Sequence, residues 1–185
     1  IRCPDGNMGF PGNLDVRATY RLSGKGTLSV TLEAVTDKPT LCNLSHHSYF
    51  NLEDGGRSSI LDHKLQIHAQ AYLPVDDDLI PDGRVMPVAG TDFDFLLSRP
   101  VRREIEGSQV IYDNNFCLAA ARRPLHLAAE AAAPGSGVTM QCWTTEPGIQ
   151  FYAGNTMSRP VLSPERFAYE AYAGFCLEAQ LWPNA

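Results

Sequence analysis

Period-two alternation is the feature that most constrains this chain. From Asn13 to Leu22, the residues Leu14, Val16, Ala18, Tyr20 and Leu22 take every second position, with Asp15, Arg17, Thr19 and Arg21 between them. Successive side chains of an extended strand point to opposite faces, so this pattern makes one apolar and one polar face. Thr27 to Val35 repeats it, with Leu28, Val30, Leu32 and Ala34 inward, and Ser23-Gly24-Lys25-Gly26 supplies the turn between. The spacing predicts an antiparallel hairpin with its apolar face on a core and its polar face solvated.

The same period recurs downstream. Lys64 to Gln70 places Leu65, Ile67 and Ala69 inward. Leu125 to Ala133 is alanine-rich, and helix propensity alone favours a helix there. The alternation of Leu125, Leu127, Ala129 and Ala131, followed by Pro134-Gly135-Ser136-Gly137 and the alternating stretch Val138 to Thr145, predicts a hairpin instead. Ile149 to Gly154 and Gly174 to Trp182 read as further strands. Pro100 to Glu106 has room for one or two helical turns, Asp76 to Asp78 reads as a solvated turn, and residues 155–171 read as loop. Many short strands, frequent turns and almost no helix make an all-β sandwich or barrel.

A chain of 185 residues suits one domain with a sizeable core, here spanning residues 1–185. The net charge of −6 disfavours nucleic acid and anionic membrane surfaces as partners, since both select basic patches. No apolar run reaches the length of a membrane span. Ile1-Arg2-Cys3-Pro4 resembles neither a signal peptide nor a translation start, so the sequence reads as part of a longer chain. Five scattered cysteines without a CxxC pair predict reduced, strand-filling thiols, no structural zinc site and a cytoplasmic location.

Polar groups concentrate in Asn43-Leu44-Ser45-His46-His47-Ser48-Tyr49-Phe50-Asn51-Leu52. Read as a strand, it sets Asn43, Ser45, His47, Tyr49 and Asn51 on one face, and Leu44, His46, Ser48, Phe50 and Leu52 on the other. A polar face on a buried strand is costly unless it is used, and a many-hydroxyl ligand such as a sugar would use it. His46 and His47 point apart, which makes the pair a poor bidentate metal site. Near the C-terminal end, Glu178 lies within the apolar run Phe175-Cys176-Leu177 and Leu181, with Gln180 on its own face. A carboxylate so placed is paired or perturbed. His63, His68 and His126 read as surface or edge residues. There is no Gly-x-Ser-x-Gly elbow for a serine hydrolase. A glycosidase needs two carboxylates, and Glu178 with Asp113 could supply them.

The order of motifs resembles one known family. Asn43 to Leu52 is similar to the Asn-Leu-Thr-Asn-His-x-Tyr-Phe-Asn-Leu motif of aldose 1-epimerases. Gly9-Phe10-Pro11-Gly12, Leu79-Ile80-Pro81-Asp82-Gly83, Tyr112-Asp113-Asn114-Asn115-Phe116, Pro147 to Asn155 and Gly174 to Gln180 follow in family order. The sequence departs from the usual pattern at His46 and Asn114. The resemblance implies a large antiparallel β-sandwich, incomplete at both ends in this sequence. It implies interconversion of the α- and β-anomers of hexoses such as galactose and glucose, with no cofactor. His47 would be the general acid on the ring oxygen and Glu178 the general base on the anomeric hydroxyl. Asp113 would bind sugar hydroxyls, and Gln150 and Tyr49 would line the site. The family also carries an upstream histidine and arginine that no residue here matches. A non-catalytic carbohydrate-binding sandwich and an epimerase of phosphorylated hexoses are the alternatives. Beyond Arg102-Arg103 and Arg122-Arg123, the sequence has no arginine cluster for a phosphate.

Overall fold

The computed structural model describes residues 1–157 and 167–184, and is built almost wholly of antiparallel strands. The contacts group into two units, residues 1–46 and 47–185.

In the first unit, β1 (Arg2–Cys3), β2 (Leu14–Ser23) and β3 (Thr27–Thr36) form a sheet in that order. The predicted hairpin is present, in register from Leu14 opposite Thr36 to Ser23 opposite Thr27. Its predicted inward face is only partly buried: Leu14, Val16, Val30 and Leu32 are half-buried, while the outer members are exposed. Tyr20 is 59%, Leu22 78% and Leu28 48% exposed, and Ala18 and Ala34 are exposed too. Alternation determines which side chains share a face, but only a second layer can bury that face.

The second unit holds the remaining strands: β4 (Lys64–Ile67), β5 (Ala71–Tyr72), β6 (Met86–Pro87), β7 (Arg99–Pro100), β8 (Glu104–Ile105), β9 (Ser108–Gln109), β10 (Asp113–Cys117), β11 (His126–Ala132), β12 (Thr139–Thr144), β13 (Gly148–Tyr152) and β14 (Cys176–Gln180). One sheet runs β14-β13-β10-β5-β6 and a second β12-β11-β4-β7. Their apolar faces supply a single core. Leu65, Ile67, Ala129 and Ala131 come from the second sheet, and Phe116, Ile149, Phe151 and Leu177 from the first. Phe95 joins them, its ring 5.6 Å from that of Phe151. The alanine-rich segment is a strand because it pairs on both sides, with β12 and with β4. Tertiary pairing overrides its helical propensity, and small side chains suit a strand sandwiched between two neighbours.

Three local expectations change. Residues 99–109 contain no helix; Glu104–Ile105 and Ser108–Gln109 form a small hairpin across Glu106 and Gly107, both at positive φ. The residues 41–49 form no ladder. That segment is extended, and only Phe50 is bridged, to Phe175. His63 is not a surface residue. It is 2% exposed, accepts a hydrogen bond from the Leu52 N–H on Nε2 at 3.0 Å, and packs edge-on against Phe175. The turn at Asp76 is as expected, with its carboxylate accepting the N–H groups of Asp78 and Ile80. The expected loop over 155–171 lies partly outside the described residues.

Candidate functional site

Strand register assembles a polar patch on the outer face of the first sheet. Asn115, Gln150 and Glu178 form one cross-strand row, and Asp113, Tyr152 and Cys176 form the next. Because side chains alternate, all six point to the same side. Their neighbours Phe116, Ile149, Phe151 and Leu177 point into the core. Asn114, one of the two departures from the family pattern, also points away from the patch, buried with its Nδ2 donating to the Leu73 carbonyl.

His47 and Tyr49 arrive from the extended segment. Reciprocal backbone hydrogen bonds between Phe50 and Phe175, at 2.8 and 2.9 Å, hold that segment beside the end of β14. Gly174 permits the close approach, since a Cβ there would stand 3.2 Å from the Tyr49 Cβ. Asn51 does not join the patch as expected. Its side chain is spent on the following loop, donating to the carbonyls of Ser58 and Ala173 and accepting from the N–H groups of Glu53 and Asp54.

The result is a compact cluster. His47 Nε2 lies 3.4 Å from Glu178 Oε1. The other ring nitrogen, Nδ1, is hydrogen-bonded to Cys176 Sγ at 3.3 Å. The rings of Tyr49 and Tyr152 flank the imidazole, with centroids 5.3 and 6.4 Å away. Gln150 Nε2 donates to Asp113 Oδ1 at 2.8 Å, and Gln180 Nε2 reaches Gln150 Oε1 at 3.4 Å. The patch therefore holds Asp113 through a relay of two glutamines. All five residues expected from the sequence, His47, Tyr49, Asp113, Gln150 and Glu178, belong to this one cluster.

Burial sets the electrostatics. Glu178 is 9% exposed, and its carboxyl is pushed above the usual range, first by desolvation and then by the charge of Asp113, with His47 opposing. Desolvation also raises the Cys176 thiol strongly, helped by Glu178 and Asp113. The Tyr49 hydroxyl is pushed up to about 12, chiefly by burial. At neutral pH both groups are neutral. The Cys176 S–H can then donate to Nδ1, which leaves the imidazole proton on Nε2, facing Glu178. Protonating the ring reverses that bond, with Nδ1–H donating to sulfur.

Beside the cluster lies a cavity of about 600 Å³. Tyr49 and Tyr152 form its edge on the His47 side, and Phe50, Tyr169 and Met157 help line it. His47, Glu178 and Asp113 are not part of its wall.

Sequence reasoning missed Cys176 and Tyr152. Cys176 was expected to be a passive filler, although its position two before Glu178 places both on one face. Its partner His47 is 129 residues away in the chain, and no local pattern links them.

Comparison with known proteins identifies the family. The aldose 1-epimerase family model matches residues 1–185. The chain belongs to the aldose 1-epimerase family. It is 43% identical to a galactose mutarotase of Sus scrofa and 42% identical to that of Homo sapiens, in each case over 98% of this chain and 53% of the relative. It is 36% identical to an aldose 1-epimerase of Escherichia coli K12, again over 98% and 53%. The chain thus spans about half the length of these relatives. Among solved structures, a galactose 1-epimerase from Lactobacillus acidophilus superposes with a TM-score of 0.78 at 31% identity, covering 99% of this chain and 53% of the other. An aldose epimerase homologue from C. elegans reaches 0.87 at 24% identity over 99% and 55%, which speaks to fold alone. The all-β antiparallel architecture is therefore the family's own.

Proposed function

We propose that this chain carries the acid–base centre of an aldose 1-epimerase, interconverting the α- and β-anomers of a hexose such as galactose or glucose. The observation that carries this reading is the 3.4 Å approach of His47 Nε2, whose side chain is half-exposed, to the buried Glu178 Oε1 on the outer polar face of the sheet. The anomeric hydroxyl and the ring oxygen are bonded to the same carbon. Opening the ring removes a proton from one and delivers a proton to the other. Two proton-transfer groups a few ångströms apart suit that demand.

In this reading Glu178, as carboxylate, takes the proton of the anomeric hydroxyl. The C1–O1 bond becomes a carbonyl as the bond from C1 to the ring oxygen breaks. Protonated His47 gives its Nε2 proton to that departing oxygen. The products are an open-chain aldehyde, a protonated Glu178 and a neutral His47, so charge and protons balance. Rotation about the C1–C2 bond presents the other carbonyl face, and reclosure with the roles reversed returns both groups to their starting state. Each positioned transfer is worth roughly 10²–10⁴-fold in rate. The raised pKa of Glu178, due first to burial, makes the carboxylate a stronger base than a free glutamate.

Asp113, braced by Gln150 at 2.8 Å, is proposed to accept hydrogen bonds from sugar hydroxyls, and Tyr49 to cover one face of the ring. Among the described residues no arginine cluster free for a phosphate accompanies these groups. Arg102 and Arg122 are instead paired to Asp62 and Glu146, which favours a neutral sugar over a phosphorylated one. Among the described residues no helix is long and apolar enough to cross a membrane. The test is polarimetry on freshly dissolved α-galactose with the full-length protein. Catalysed approach to the equilibrium rotation supports the reading. Saturable galactose binding without any acceleration would favour the non-catalytic sandwich instead.

A further inference from the structure

One arrangement in the site is not explained by anomer interconversion. His47, Cys176 and Glu178 each offer a metal-ligating atom, and the three atoms lie within 4.8 Å of one another. We propose that this trio is a zinc-class metal site that, when filled, shuts off the acid–base pair. The binding claim rests on geometry alone; the inhibition claim rests also on the function proposed above.

The donor set is that of a borderline-soft cation. A thiolate, an imidazole and a carboxylate together suit Zn²⁺ or Co²⁺, whereas Mg²⁺ and Ca²⁺ want oxygen ligands only. Zn–N lengths of about 2.0–2.1 Å and Zn–S of about 2.3 Å put neighbouring ligand atoms of a tetrahedral site roughly 3.6 Å apart. Cys176 Sγ and His47 Nδ1 stand 3.3 Å apart already. The Glu178 carboxylate then closes the site by side-chain rotation. Its backbone is held in β14, where Glu178 pairs with Gln150. The fourth position opens to solvent beside the His47 side chain, which is 53% exposed.

The charges also fit. Cys176 and Glu178 are both buried, and the Glu178 charge raises the cost of ionising the thiol. A dication coordinated by both removes that repulsion. On binding, Cys176 loses its proton to solvent, and the metal–thiolate–carboxylate unit is neutral overall. His47 and Glu178 are then both engaged by the cation, so neither can exchange a proton with a sugar. A thiol with no assigned part in the chemistry thus acquires one, as the ligand that makes the site selective for thiophilic metals.

The test is a Co²⁺ titration of the purified, chelator-stripped protein followed by absorption. We expect one equivalent to give a thiolate-to-cobalt charge-transfer band with tetrahedral d–d bands, all displaced by Zn²⁺. Cys176→Ser and Cys176→Ala should lack the charge-transfer band. Glu178→Gln should retain it but bind more weakly, by more than the roughly 10–100-fold that loss of an outer-shell partner costs. In kinetic assays, Zn²⁺ but not Mg²⁺ should inhibit, EDTA should restore the rate, and Cys176→Ser should need far more Zn²⁺, each measured against its own metal-free rate. Absence of the band, or a band unchanged in both Cys176 variants, overturns the proposal. Equal zinc sensitivity of wild type and Cys176→Ser overturns its inhibitory part. A cobalt band in a protein that never accelerates anomerisation would leave the metal site standing and remove the proposed function.

Discussion

At the scale of single residues, the account turns on a carboxylate kept out of water. Burial raises the Glu178 pKa above its ordinary value of 4.5. Two consequences follow from the sign of that shift. The acid limb of kcat/KM should fall at a pH above the usual glutamate range, since the base must be ionised to act. Folding should feel the same group in the opposite sense. The protonated form is favoured in the folded state, so its contribution is complete below pH 4.5 and is lost as pH rises through the raised folded value. Glu178→Gln should therefore be more stable than wild type at neutral pH, with the gain vanishing in acid. Urea denaturation of both proteins across pH measures this. A variant less stable at pH 7 would show that Glu178 is held by compensating contacts rather than strained by burial. The sequence made Glu178 legible because four apolar neighbours surround it. It could not make Cys176 legible as a partner of His47, because that contact exists only after β14 and the extended segment are brought together by the Phe50–Phe175 bridge.

At the scale of elements, alternation was a reliable guide in β4 but not in β2, whose outer apolar positions are exposed although β1 and β3 flank it, nor in β11, where a register shift between Leu127 and Ala129 buries Ala128. Leu65, Ile67 and Ala69 are buried as their spacing predicts, and the alanine-rich β11 is a central strand. Alternation gave no warning about His63, because its burial comes from a connection. The ring reaches from a short 3₁₀ turn to accept the Leu52 N–H, and so pins the loop that follows the site segment. Burial holds the His63 pKa below its ordinary 6.5. A depressed folded value means that stability is complete above pH 6.5 and is lost as pH falls through the lower folded value. His63→Gln keeps an acceptor for the Leu52 N–H without titrating. Its denaturation midpoint should lose less between pH 7 and pH 5 than that of wild type, by thermal or urea melts. Parallel pH profiles would contradict this reading of His63.

At the scale of the whole molecule, the chain covers about half the length of the mutarotases it resembles, and its first unit bears an apolar surface that strand patterning placed inside. Tyr20 faces Val30 and Leu22 faces Leu28 across β2 and β3, and the outer members of this face are largely exposed. Among the described residues β3 pairs only with β2, which leaves a ten-residue edge. Exposed apolar ribbon with an open edge favours association. Residues 1–185 produced alone should self-associate with rising concentration in light scattering, and Leu22→Lys with Leu28→Lys should reduce that. A monodisperse wild-type segment at high concentration would show that the face is innocuous.

The central claim is that His47 and Glu178 are the acid and base of anomer interconversion, and Glu178→Gln and His47→Asn in the full-length protein test it most directly. Each removes one positioned proton transfer, so turnover measured by polarimetry should fall by roughly 10²–10⁴-fold. Galactose binding measured by calorimetry on the same preparations should persist, because Asp113, Gln150 and Tyr49 remain in place. Turnover near the wild-type rate in either variant would contradict the assignment.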